Sequence, residues 1–215
     1  MSDSDKKGQF QPNTIIVIGR QFGSGGRLIG KQVAARLGIP YYDKELLSEA
    51  AKSLGFSTEV FASADERKPS VFSSFLQGFY SVPEHYHSTS MNTDRLYTAQ
   101  SEVIRKICEM GSCVIVGRTA DYVMRDHPGL VSVFLHAPAE WRAAKIVARH
   151  DTTAPEQAVE MARRRDKDRE SYYNYFTGRH WGRASNYHLT IDSSLIPEDT
   201  VVDMIVEFAK AKVRV

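Results

Sequence analysis

Cysteine is nearly missing from this chain: Cys108 and Cys113 are the only two among 215 residues. Their spacing excludes both a zinc site and a redox pair, which leaves two reduced thiols in a cytoplasmic protein. Also missing is any apolar run long enough to span a membrane. The polar opening stretch MSDSDKKGQFQPN lacks the apolar segment of a signal peptide, so residues 1–13 read as a disordered lead-in. Net charge is scarce too, +2 from 28 Lys and Arg against 26 Asp and Glu. That balance argues against nucleic acid and membrane surfaces as partners, and any electropositive site must come from local arginines. No internal repeat is visible. Residues 14–215 then form one α/β domain, at 42% hydrophobic and 25% charged residues.

What is present alternates between strand and helix patterns. Thr14 to Ile18 is an apolar, β-branched run of the kind buried on both faces of a sheet. A helix follows over 27–37, stopped by Gly38, then a short strand or turn over 39–43 and a helix over 44–54. Ser57 can cap a further helical stretch, and the pattern dissolves over 68–92 into serines and aromatics. A helix from Thr93 or Asp94 to Met110 precedes strands over 113–116 and 130–135 and a helix over 139–150. Thr153-Ala154-Pro155-Glu156 reads as a capping box opening a long helix. A late strand over 187–192 and a last helix from Pro197 complete the chain. This alternation predicts a parallel sheet with helices on both faces, and ligands in such sheets bind beyond the strands' carboxyl ends.

The loop after the first strand carries the strongest signal. In GRQFGSGGRL, Gly23, Gly25 and Gly26 permit dihedrals closed to other residues and let N–H groups approach an anion. The helix that follows adds its free N–H groups and the positive end of its dipole, and together they make a phosphate nest. Residues 23–28, including Ser24, Arg27 and Leu28, are the expected nucleotide-binding set. Against the usual G-x-x-x-x-G-K-[ST] pattern, Arg20 stands in the first glycine's place and Gly26 in the lysine's. Arg27 and Leu28 fall where the hydroxyl residue would lie. Arg27 is the nearest cation and offers a bidentate fork for β- or γ-phosphate oxygens. With the hydroxyl lost, Ser24 or Asp43 is the candidate to help hold a metal ion.

With Gly-Ser-Gly-Gly-Arg, GIPYYDKELL, VIVGR and an arginine-rich helix in this order, the chain resembles the cytidylate kinase-like family of P-loop kinases from about Thr14 onward. The resemblance implies a P-loop three-layer αβα fold with a five-stranded parallel sheet. It implies a monophosphate-binding insert around 57–95 and a lid around 163–186. It also implies ATP with Mg2+ as phosphoryl donor and a small acceptor such as CMP. Two departures bear on the acceptor: the lysine is missing, and Gly117-Arg118-Thr119 stands where cytidylate kinases carry Gly-Arg-Asp.

The resemblance places the arginine run of EMARRRDKDRESYYNYFTGRHWGR at the lid. Arg165 and Arg169 are then the expected contacts to the transferring phosphoryl group, with Asp166 and Asp168 orienting them. Arg118, at a strand end, suits the acceptor phosphate, and Asp43 and Asp121 suit a sugar hydroxyl, a base amine or the metal. No general base is needed, because a phosphate monoester is already largely ionised at neutral pH. The task left to the protein is alignment and charge neutralisation. Tyr172, Tyr173, Tyr175, Phe176 and Trp181 either stack on a base or pack the lid on the core. Two other readings stay open: a kinase for another small metabolite, and a module that binds ATP without transferring phosphate. The sequence leaves the oligomeric state undetermined.

Overall fold

The computed structural model of the chain describes residues 13–53 and 90–212. The Ser57 helical stretch, the unpatterned 68–92 segment up to residue 89, most of the 57–95 insert and the lead-in lie outside the described residues.

The elements, in chain order, are β1 (Ile15–Arg20), α1 (Gly26–Leu37), β2 (Tyr41–Tyr42), α2 (Lys44–Ser53), α3 (Ser90–Met110), β3 (Cys113–Val116) and α4 (Ala120–Val123). They continue with β4 (Leu130–His136), α5 (Ala139–Ala148), α6 (Pro155–Thr177), a 3-10 turn (Ala184–Asn186), β5 (Leu189–Asp192) and α7 (Glu198–Lys212). The strands form one five-stranded sheet in the order β2-β3-β1-β4-β5. Every pairing is parallel, so β1 is the central strand, with Ile16 level with Val114 on one side and Val131 on the other. This is the three-layer α/β arrangement expected from the alternating pattern.

The period of two along β1 explains why its run is apolar throughout. Ile16 and Ile18 face a core with Ile29 and Val33 of α1 and Val201, Val202, Ile205 and Val206 of α7. Ile15 and Val17 face the opposite core, with Leu47 of α2, Val103, Ile104 and Ile107 of α3, and Val123. Cys108 and Cys113 are both buried as free thiols in that second core, as the low cysteine count implies. A smaller cluster joins Ala143 and Ile146 of α5 to Ala158 and Ala162 of α6, with Phe22 packed against it. Through Phe22, the arginine-rich helix rests on the glycine loop.

Several boundaries differ from the sequence reading, among them the start of α3 at Ser90, and three have a clear local reason. α6 begins at Pro155 with Ala154 as its N-cap and no side-chain cap bond, so the Thr153 capping box is not formed. Proline fits the first helical position, where no N–H needs a partner, and this shifts Glu156 out of register for the reciprocal bond. α5 stops at Ala148, because His150 at φ 61 lets His150 N–H donate to Val147 O (2.9 Å) and Asp151 N–H to Ile146 O (3.3 Å). β5 begins at Leu189, two residues later than expected, because the His188 ring accepts the Ser132 N–H at 2.9 Å where a strand carbonyl would. Among the described residues, no helix is long and apolar enough to cross a membrane.

Candidate functional site

The site begins where β1 ends. Gly23 (φ 87) and Gly25 (φ 84) take left-handed conformations that turn the chain from strand into α1. Among the described residues, the N–H groups of Gly23, Gly25, Gly26 and Arg27 have no protein acceptor, so they remain available at the positive end of α1. The loop is held from beneath. Gln21 Oε1 accepts the Ala137 N–H at 3.1 Å, Ser193 Oγ donates to Ser24 O at 2.9 Å, and Phe22 N–H donates to Asp166 Oδ1 at 2.7 Å. A row of unspent donors on a pinned backbone is an arrangement chemically suited to a phosphate anion.

Ser24 does not serve the metal role expected of it. It is fully buried, and its hydroxyl is shared between the carbonyls of Gln21 (2.9 Å) and Leu135 (3.3 Å) beneath the loop. Leu28 is exposed, and its N–H donates to Gly25 O at 2.9 Å, so its side chain lies outside the nest and its amide is already used. Arg27 contributes its backbone N–H, while its side chain, 60% exposed, turns to Asp43 (2.9 Å) and Glu45 (3.1 Å). Asp43 caps α2 by accepting the Leu46 N–H at 3.3 Å and also accepts the Tyr41 hydroxyl at 3.3 Å. Burial alone would raise the Asp43 carboxyl; the Leu46 N–H and the Arg27 charge outweigh it and hold it below the ordinary range. Asp43 is therefore ionised beside the site but already engaged.

Four arginines gather where the carboxyl ends of β1 and β3 meet α6. Arg20 ends β1, and Arg118 follows β3 in a run of three left-handed residues, Gly117 (φ 79), Arg118 (φ 63) and Thr119 (φ 53). Such a run is costly and collects at functional sites. From α6, Arg169 donates to Arg20 O at 3.1 Å, lies 3.6 Å from Asp166 and sits over the Phe22 ring at 5.4 Å. Burial, then the Arg118 charge, pushes Arg20 down to about 10. Burial and the Arg20 charge push Arg169 down to about 9, with Arg165 adding to the repulsion. A guanidinium keeps its proton in a protein, so these directions say that both cations are held buried, with like charge beside them as the second cause.

The Cytidylate kinase-like family model matches residues 15–195, most of the chain and all of this site. The chain belongs to that family. An uncharacterized protein from Eubacterium ventriosum ATCC 27560 has a solved structure that is 30% identical with a TM-score of 0.69, covering 93% of this chain and 99% of that one. A gluconokinase from Sinorhizobium meliloti 1021 (16% identical, TM-score 0.52, 94% and 92% covered) is similar in fold. So is a shikimate kinase from Bacteroides thetaiotaomicron (11% identical, TM-score 0.51, 94% and 99% covered). No curated protein matches the sequence. The αβα scaffold of this cytidylate kinase-like chain is thus that of P-loop kinases.

Within the family frame, Asp121 is the expectation that moves furthest. It is buried in the first turn of α4 and accepts the Tyr173 hydroxyl at 2.8 Å, so it anchors α6 and does not open toward an acceptor. Burial raises its carboxyl despite that hydrogen bond. The aromatics take the packing role as well. Phe176 stacks on Tyr97 of α3 at 4.2 Å, and Trp181 meets Phe134 edge-on at 5.2 Å. Sequence reasoning missed Asp166 as the hub of the loop. It also missed Arg142, 9% exposed, which binds Asp166 at 2.6 Å and the carbonyls of Ala137 and Phe22 at 2.9 Å each. A lone arginine in the helix after β4 offers no pattern to read.

Proposed function

We propose that this chain is an ATP-dependent phosphotransferase whose acceptor is a nucleoside monophosphate such as CMP. The observation that carries the reading is the convergence of a donor-lined nest with four arginines, Arg20, Arg118, Arg165 and Arg169. Family membership and fold support phosphoryl transfer in general terms; the acceptor belongs to the proposal. The nest holds the donor's phosphates through the N–H groups of Gly23, Gly25, Gly26 and Arg27. Arg118 orients the acceptor phosphate, whose ionised oxygen attacks without a base. Arg165 and Arg169, on the segment 163–186 that acts as the lid, neutralise charge spreading over the transferring group. Cation supply of this kind is worth roughly 10³–10⁵ in rate in related transfers.

Mg2+ accompanies ATP in this chemistry, and the residues present do not suit its direct coordination. Among the described residues no three His, Cys, Asp or Glu side chains converge, the Ser24 hydroxyl is buried, and Asp43 is bound to Arg27. A magnesium ion carried on nucleotide phosphates with its own water shell needs no such cluster.

The test is ADP release in the presence of ATP and Mg2+ against a panel of nucleoside monophosphates and small hydroxylated metabolites. Turnover above the ATPase background with CMP or UMP supports the reading. Turnover only with a hydroxylated metabolite moves the acceptor. ATP binding with no acceptor turned over favours a nucleotide-binding module, which the buried Ser24 hydroxyl and the missing lysine would suit.

A further inference from the structure

In the usual phosphate loop a lysine follows the second glycine and reaches the β- and γ-phosphates. Here that position is Gly26. A Cβ added to it would lie 2.8 Å from Arg20 Cγ and 2.9 Å from Arg20 Cβ, closer than real side chains come. The space a lysine stem would leave through is already filled by the stem of Arg20. At the other end of the same side chain, a Cβ on Gly117 would collide with Arg20 Nη1 and lie 3.0 Å from Cζ. Arg20 therefore runs from the end of β1, over the first residue of α1, to the carboxyl end of β3. Two glycines leave it room.

The guanidinium is also unspent. Arg27, Arg142 and Arg169 each lie within ion-pair distance of a carboxylate. Among the described residues, the Arg20 guanidinium donates no hydrogen bond and forms no ion pair; its only hydrogen bond to a side chain is the one its backbone carbonyl accepts from Arg169. An arginine kept as a strut would be tied to carbonyls or carboxylates, as Arg142 is. Here five donors in a fixed fork end a stem that passes over Gly26, whose backbone N–H is also unspent.

We infer that Arg20 supplies, from the end of β1, the phosphate-binding cation that a lysine supplies from the start of the helix in the usual loop. It contacts the β- and γ-phosphate oxygens of a polyphosphate seated on the N–H groups of Gly25, Gly26 and Arg27. The inference rests on the nucleotide-site reading proposed above. It moves the role from Arg27, whose side chain is turned to Asp43 and Glu45. The crowding of Arg20 by Arg118 and Arg169 fits this role, since a polyanion compensates all three.

The probe is inorganic tripolyphosphate without metal, titrated calorimetrically and by thermal melting at constant ionic strength. Arg20→Gln weakens binding by about 10–100-fold, the loss of charge-assisted hydrogen bonds. Arg36→Gln removes one charge from the far end of α1 and binds as the wild type does. Gly26→Lys alone melts early, because its Cβ meets the Arg20 stem. The double variant Arg20→Gly with Gly26→Lys regains both melting temperature and tripolyphosphate affinity. Tripolyphosphate held undiminished by Arg20→Gln overturns the inference. So does a larger loss in Arg27→Gln, or a double variant that folds yet stays weak. Arg20-dependent binding in a protein that phosphorylates no acceptor would sink the kinase reading and leave this one standing.

Discussion

Asp166 joins three parts of the chain at once: it accepts from the Phe22 N–H of the loop and from Arg142 of α5, and pairs with Arg169 of its own helix. Removing it leaves Arg142 buried beside two carbonyls with no counter-charge. Breaking a buried pair from one side costs about 3–5 kcal/mol, and Asp166→Ala should lose that much in denaturant unfolding, with Asp166→Asn losing less. Arg118 is different in kind, because its expected partner is the acceptor. Arg118→Ala should melt near the wild-type temperature and lose on the order of 10²-fold in kcat/KM in the ADP-release assay; unchanged turnover would remove it from the site. The arginine-rich helix was legible because its position after the third central strand gave the charge run a purpose. Asp166 was legible as a partner of the arginines, but its bond to the loop and the place of Arg20 were not, since those contacts join residues 144 and 149 positions apart in the chain. No periodicity encodes such a distance. Arg27, singled out by its place next to the nest in sequence, turns its side chain to Asp43 and Glu45.

Most described elements were legible in kind and order, α4 and the 3-10 turn excepted, and their edges were not. Hydrophobic period marks what a segment buries, whereas ends are decided by single capping contacts such as those at Pro155, His150 and His188. The last of these has a pH signature. Nδ1 of His188 accepts the Ser132 N–H and so must be unprotonated, and burial, with the Lys212 charge, holds its pKa below the ordinary value. The unfolded chain, titrating near about 6.5, takes up the proton first. Stability contributed here is present at neutral pH, falls as pH drops through about 6.5, and stops falling below the depressed folded value. His188→Gln should flatten the fall in melting temperature between about pH 7 and pH 5. At the other end of α6, Tyr173→Phe leaves the Asp121 carboxyl without its hydroxyl donor, which should cost about 1–3 kcal/mol in urea unfolding.

At the scale of the molecule, one sheet divides two cores, and the proposed anion site lies at the carboxyl end of the central strand. α7 closes the layer that holds α1: Ile205 is fully buried in the core that also holds Ile16, Ile29 and Val33. Ile205→Ala should cost about 2–5 kcal/mol, read as a lowered melting temperature. The collision between a side chain at Gly26 and the stem of Arg20 has a historical consequence as well. A descendant that gains lysine at position 26 while keeping arginine at 20 is overfilled, and one that drops the arginine first is left with glycine on both sides of the loop. On the inferred role of Arg20, passage between this loop and the lysine loop calls for change at positions 20 and 26 together.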